Sequence, residues 1–326
     1  MTLDTLKSHS RPTVLRLAQR KALTARKIVT QGLYSICRQS DFTWRYMANL
    51  RPSLAYQRLR KPLSALHESL LADLKRDGII ITSVAELLQN SGLFEELESA
   101  AWQYEASLAD KIGQARLDMD KSGTKTYLFT LFGRQLPLDP ESIFVRFALQ
   151  PEILHLVNGY FGMLTKLQHY NVWHTFPTQE PARESQLWHR DPEDRYVLKM
   201  FVYLTDVDKG AGPLTYAPGT HAQGTVKTAV AASWVREGAV EVRRSEDAQM
   251  DAVVPRKSWI TAIGSKGTVV LADTRGYHKG GLAREHERIL YMCMFASQAS
   301  NYPDVFTRSV PFPHSSDKAM AFATGA

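Results

Sequence analysis

The 326-residue chain is 44% hydrophobic, enough for one large domain with an accessory segment or for two modest domains, which excludes fibrous and disordered classes. Its two cysteines, Cys37 and Cys293, form no C-x-x-C pair, and no run of about 18 apolar residues or secretory core occurs. A disulfide framework, a zinc–thiolate site and a membrane span are therefore excluded, and a soluble cytoplasmic protein is expected. The net charge of +7 sits in residues 1–60, where twelve Lys and Arg face only Asp4 and Asp41, so the rest of the chain is net negative by three.

In chain order, Leu15, Ala18, Ala22, Val29, Leu33 and Ile36 fall near helical spacing, with Arg16, Arg20 and Lys27 on other faces. Residues 13–37 are expected to form a basic amphipathic helix. Its stripe can pack on the chain's own domain, or lie on an anionic membrane surface or an acidic carrier protein. Packing is preferred, because amphipathic helices of soluble chains mostly bury their stripe. Deleting residues 1–37 should then give an aggregating, inactive protein at any salt concentration. A soluble, active truncation, with salt-sensitive binding of the full chain to anionic vesicles, would reverse that preference. Nucleic acid is disfavoured as a partner, since aromatic residues are not regularly interleaved with the basic ones.

Ser64 to Lys75 reads as a helix closed by Asp77-Gly78, "IIITSV" (79–84) as a short strand, and Phe94 to Asp120 as a charged helix. "TKTYLFTLFG" (124–133) is a strand and Ile143 to Phe161 another helix. From residue 164 the period changes to two, in "LTKLQHYNVWHTF", "RYVLKMFVYLTDV", "GPLTYAP", "GTVVLAD" and "RILYMCMFAS". Helices followed by strands predict an α+β chain whose C-terminal half is an antiparallel sandwich or barrel. The expected division is a basic helical extension at 1–60, a main domain at 61–305 and a tail at 306–326.

Phosphate-cradling and serine-hydrolase motifs are absent. The chemistry-bearing segment is "SQLWHRDPEDRYVLKMFVYLTDVD" (185–208). On an extended segment His189 and Asp191 point to the same side, and burying both without a partner is costly, whereas a metal ion ligated by both removes that cost. "LADTRGYHKGG" supplies a third candidate ligand in His278. Two His and one carboxylate on one face of a metal, with open positions opposite, is the arrangement non-haem Fe(II) oxygenases use. An isolated H-x-D at a strand edge is more often an incidental surface pair. Arg288, ten residues past His278, shifts the balance, because a guanidinium at a barrel mouth can grip the carboxylate of a small diacid.

H-x-D, the distal His of "YHKGG" and the following Arg resemble the phytanoyl-CoA dioxygenase-like family of Fe(II)/2-oxoglutarate oxygenases. "GPLTYAPGTH" (212–221) resembles that family's G-x-L-x-x-x-P-G-[ST]-H hairpin. The resemblance spans about residues 62–300. It implies a double-stranded β-helix, a jelly-roll or cupin-like core braced by N-terminal helices, over 61–305. It also implies a dioxygenase using Fe(II), O2 and 2-oxoglutarate to hydroxylate an unactivated C–H bond of a small organic substrate. His189, Asp191 and His278 would ligate iron and Arg288 would hold the distal carboxylate of 2-oxoglutarate. By the same resemblance the strand at 164–176 points to Asn171 as a cosubstrate contact, with His169 and Trp173 on its face; a one-residue slip would substitute Gln168, Tyr170 and His174. Lys199, eight residues past Asp191, would share its face and add a contact. His221 is expected to order its turn.

Asp191 disfavours halogenation, for which family relatives replace that carboxylate by a small residue. Residues 222–262 would cover the metal and set specificity. Arg190, Arg195 and Arg275 beside the ligands favour an acidic substrate. The competing reading is a non-oxygenase cupin-like metal- or ligand-binding barrel, which has no need of Arg288.

Overall fold

A computed structural model of the chain describes residues 32–88, 92–118, 126–227, 229–237, 240–308 and 317–325. Of the basic helix expected at 13–37, all but residues 32–37 lies outside these. The chain divides into two compact units between Ala48 and Asn49. In the first, residues 32–37 are helical, and the Ser40 side chain accepts the Thr43 N–H to start the turn Asp41–Thr43. None of the described helices is long and apolar enough to cross a membrane.

The second unit mixes helices with antiparallel sheet. Its described strands are β1 (Ile79–Ser83), β2 (Leu128–Thr130), β3 (Leu136–Pro137), β4 (Lys166–Thr175), β5 (Leu198–Tyr203), β6 (Thr215–Tyr216), β7 (Ser233–Glu237), β8 (Val240–Arg244), β9 (Ile260–Thr261), β10 (Thr268–Asp273), β11 (His278–Lys279), β12 (Arg288–Ala296) and β13 (Phe306–Thr307). Six form one sheet in the order β1-β10-β5-β12-β4-β2, and three form a smaller sheet in the order β11-β6-β9. Apolar side chains of the large sheet, including Phe201, Tyr203, Val270, Leu290, Met292 and Met294, share one core with Leu214, Tyr216 and Ala262 of the smaller sheet and the segments beside it. The strand-rich C-terminal half thus buries its inner faces between two layers.

Helix ends fall where local chemistry puts them. Ser64 caps Ala65–Asp77, accepting the His67 N–H, and Gly78 ends it with φ 82°. A Cβ on Gly78 would sit 2.4 Å from the Tyr216 hydroxyl and 2.5 Å from His221 Nδ1, so only glycine fits. His221, buried, pairs through Nε2 with the Lys75 carbonyl at 3.0 Å, tying its turn to this helix end. Two expected helices are each divided. Phe94–Asp120 is observed as Gly92–Ser107 and Ala109–Asp118. Ile143–Phe161 is observed as Ile143–Ala148 and Pro151–Phe161, because Pro151 holds Gln150 extended and starts a new helix.

The segment expected as one strand over 195–207 is regular only at 198–203. Residues 222–262 include the hairpin β7–β8 and the short helix Asp247–Asp251. β13 pairs in parallel with β3, and a helix, Lys318–Thr324, closes the chain.

Candidate active site

His189 and Asp191 lie just before β5, on a segment held by isolated backbone bonds. The His189 N–H donates to the His278 carbonyl at 2.9 Å, the His278 N–H donates back at 3.1 Å, and the Asp191 N–H donates to the Thr274 carbonyl at 2.9 Å. This reciprocal bridge brings residues 89 positions apart in sequence face to face, with imidazole centroids 4.2 Å apart. β11, which carries His278, is itself paired with β6 of the "GPLTYAPGTH" segment.

Each ring is oriented by its other nitrogen. Nδ1 of His189 lies 2.8 Å from the Leu187 carbonyl and Nδ1 of His278 lies 3.1 Å from the Gly276 carbonyl. With Nδ1–H donating to these carbonyls, both Nε2 lone pairs are left for a ligand. They point at Asp191, with His189 Nε2 3.8 Å from Oδ1 and His278 Nε2 3.9 Å from Oδ2. One ligand atom from each residue lies within 4.8 Å of the others, and all three residues are buried.

Protonation suits a cation. Burial, then the neighbouring His278, pushes the His189 pKa well below its ordinary value, and burial likewise lowers that of His278. Burial alone would raise the Asp191 carboxyl, but the Lys199 ammonium, 2.6 Å from Oδ2, overrides it and holds the group ionised. Two neutral imidazoles and a carboxylate form the donor set that divalent iron accepts.

The triad closes one end of a cavity of about 100 Å³, lined also by Leu128, Trp173, Ser185, Lys199, Phe201, Tyr203, Leu214, Leu290 and Arg288. Arg288 is 7% exposed. Its guanidinium donates to the Gly212 carbonyl and to Thr175 Oγ1, leaving Nε buried without a partner among the described residues. No carboxylate among the described residues pairs with it. The sequence reasoning missed its seat, Thr175 and Gly212. Thr175 is the cross-strand partner of Arg288 and was discoverable from strand pairing, whereas Gly212 was not.

Of the other expected cosubstrate contacts, Lys199 and Trp173 line the cavity, while two residues sit elsewhere. Asn171 is fully buried, but its amide is engaged by the Phe132 N–H and the Gly133 carbonyl, both at 3.2 Å, so it braces a turn and does not line the cavity. His169 also lies outside the lining, with its pKa lowered to about 4 by burial and then by the Lys199 charge. On the opposite strand face His174 contacts Glu105 and Glu287 at 2.8 and 2.7 Å.

A second, larger cleft of about 670 Å³ reaches His189 and Asp191 and is lined by Trp188, Arg190, Glu193, Trp234, Arg243, Arg244 and Tyr277 among others. Part of its wall is the β7–β8 hairpin, which the sequence showed only as a cover.

The fold and site define an antiparallel-sheet protein with a buried two-His, one-carboxylate centre. Residues 139–284, which hold the whole triad, match the phytanoyl-CoA dioxygenase (PhyH) family, and this stretch is a phytanoyl-CoA dioxygenase-like sequence. Match and triad together mark the chain as an enzyme of the oxygenase class. Among solved structures, EctD from S. alaskensis with 2-oxoglutarate and 5-hydroxyectoine is 17% identical. That likeness covers 78% of this chain and 83% of EctD, with a TM-score of 0.50, and indicates a shared fold. The epimerase SnoN from nogalamycin biosynthesis, described as non-heme and alpha ketoglutarate dependent, is also 17% identical, over 72% of this chain and 84% of its own, with a TM-score of 0.44. No curated protein matches the chain.

Proposed function

We propose that the chain is an Fe(II)- and 2-oxoglutarate-dependent dioxygenase that hydroxylates an unactivated C–H bond of a small, acidic organic substrate, on a double-stranded β-helix. The observation that carries this reading is the single cavity joining the triad to Arg288. A buried guanidinium with no carboxylate partner among the described residues is costly to keep, and a small diacid entering the cavity supplies that partner. A cupin-like binding barrel would have no use for it.

In this reading His189, Asp191 and His278 hold iron, with both imidazole orientations fixed by the Leu187 and Gly276 carbonyls. When bound, iron with O2 supplies oxidation coupled to decarboxylation of 2-oxoglutarate to succinate. Arg288 receives the distal carboxylate, and Trp173 and Leu290 form apolar walls that exclude water around the chain of the diacid. Lys199, in contact with Asp191, adds positive charge toward the carboxylate end nearest the metal. The small cavity suits the cosubstrate, and the larger cleft, which also reaches His189 and Asp191, suits the substrate.

The test is direct. Anaerobic addition of Fe(II) and 2-oxoglutarate should give a weak visible charge-transfer band, and admission of air should give succinate. A chain that shows neither, while remaining folded, would be the binding barrel instead.

A further inference from the structure

Beside the substrate cleft lies a pocket of about 250 Å³ lined by Arg190, Arg195, Arg275, Lys227, Thr220, His221, Ala222 and Val226. Four of the residues lining it are cationic and none is acidic. We infer that this pocket receives a phosphate group of the substrate, whose remaining, planar or apolar, part lies in the adjoining cleft against Trp234 and Tyr277. This rests on the assignment of the larger cleft as the substrate site.

Arg190 carries the argument because it belongs to both spaces. It lies between two triad residues in sequence, its guanidinium stacks 4.0 Å over the Tyr277 ring, and one of its nitrogens donates to the Thr220 carbonyl at 2.8 Å. Its Nε is buried, and among the described residues it has no hydrogen-bond partner and no carboxylate pairs with the guanidinium. Stacking and the Thr220 bond fix the plane of the fork, which is the preorganisation that bidentate binding of an oxyanion needs. Arg275 is oriented in turn, donating to the Asp191 main-chain carbonyl at 2.7 Å, so the pocket is tied to the triad's own backbone. Lys227 reaches the pocket from an exposed position.

The charge count separates phosphate from a lone carboxylate. A single carboxylate offers one negative charge and two oxygens, which one arginine satisfies, whereas a phosphate monoester offers nearly two charges and three oxygens. The location separates a substrate group from an independent effector. Arg190 also lines the cleft that reaches His189 and Asp191 and is walled by Trp188, Trp234 and Tyr277, so the rest of a molecule anchored on Arg190 has that cleft open to it. Trp234 is 67% exposed, with the Arg243 guanidinium 5.7 Å from its ring centroid, and offers a face for a planar group.

The experiment is calorimetric titration of the metal-free, full-length protein with inorganic phosphate and with phenyl phosphate, which adds a planar body to the same anion. Both should bind, phenyl phosphate several-fold more tightly, and Trp234→Ala should remove that difference. Lys227→Ala, at an exposed side chain, and Arg190→Gln should each weaken both probes at least fivefold. Absence of phosphate binding at millimolar concentration would overturn the assignment, as would insensitivity to the Lys227 and Arg190 changes. Equal affinities for the two probes would show a free-phosphate site and overturn the substrate reading. Since neither iron nor 2-oxoglutarate is present, failure of the dioxygenase assignment would show up separately, in the charge-transfer and succinate assays.

Discussion

His189→Ala and His278→Ala are expected to abolish Fe(II) binding and reduce 2-oxoglutarate turnover to background while leaving a cooperatively folded protein. Each removes one Nε2 donor from a set of three. Neither strands a charge, because burial already keeps both imidazoles neutral. Asp191→Ala should lose the same activity but behave differently on heating. Its carboxylate is the ion-pair partner of Lys199, whose side chain is 15% exposed. Removing one member of a buried pair leaves an uncompensated charge and costs about 3–5 kcal/mol. Asp191→Ala should therefore melt well below the two histidine variants. The double variant Asp191→Ala/Lys199→Met should recover much of that stability without recovering iron binding. Metal titration and thermal melts on the four proteins check both halves, and full turnover by any single alanine variant would remove its residue from the metal centre.

The parts of this site were not equally legible in the sequence. The triad could be read because its geometry is local at one end: residues i and i+2 of an extended segment share a side, and glycines around His278 permit close approach. The β-type runs likewise marked β4, β5, β10 and β12, whose largely apolar composition is legible whatever their neighbours. Contacts set by distant chain segments were not legible. The Lys199–Asp191 pair could be anticipated as a shared face but not as a contact, and Asn171, on the face favoured for the cosubstrate, is engaged by the Phe132–Gly133 turn across a neighbouring strand. Likewise, the Gly212 carbonyl that seats Arg288 lies 76 residues before it. The β7–β8 hairpin escaped because its alternation is confined to the four residues Val240-Glu241-Val242-Arg243; the arginines pointed to an acidic substrate, but that Arg190, Arg243 and Arg244 line one cleft was not legible.

Arg288→Ala is expected to raise KM for 2-oxoglutarate far more than it alters iron affinity. The guanidinium is buried, burial disfavours its charge, and no carboxylate among the described residues offsets that cost. An incoming diacid would pair with it in a water-poor cavity. Losing one partner of such a pair costs about 2–5 kcal/mol, which corresponds to about 30-fold to a few thousand-fold in affinity. Arg288 also donates to the Gly212 carbonyl, so alanine could loosen the loop at that point. Arg288→Lys keeps the charge and most of the volume while losing the fork, and should give a smaller rise in KM. A graded series, wild type below lysine below alanine, at unchanged Fe(II) affinity and similar melting temperature, is the signature of a carboxylate clamp. A loss that follows melting temperature would signal damage to the loop. An unchanged KM would leave Lys199 as the remaining cation in the cavity, since Arg284 is held outside it by the Thr178 and Glu180 carbonyls at 2.7 and 3.1 Å.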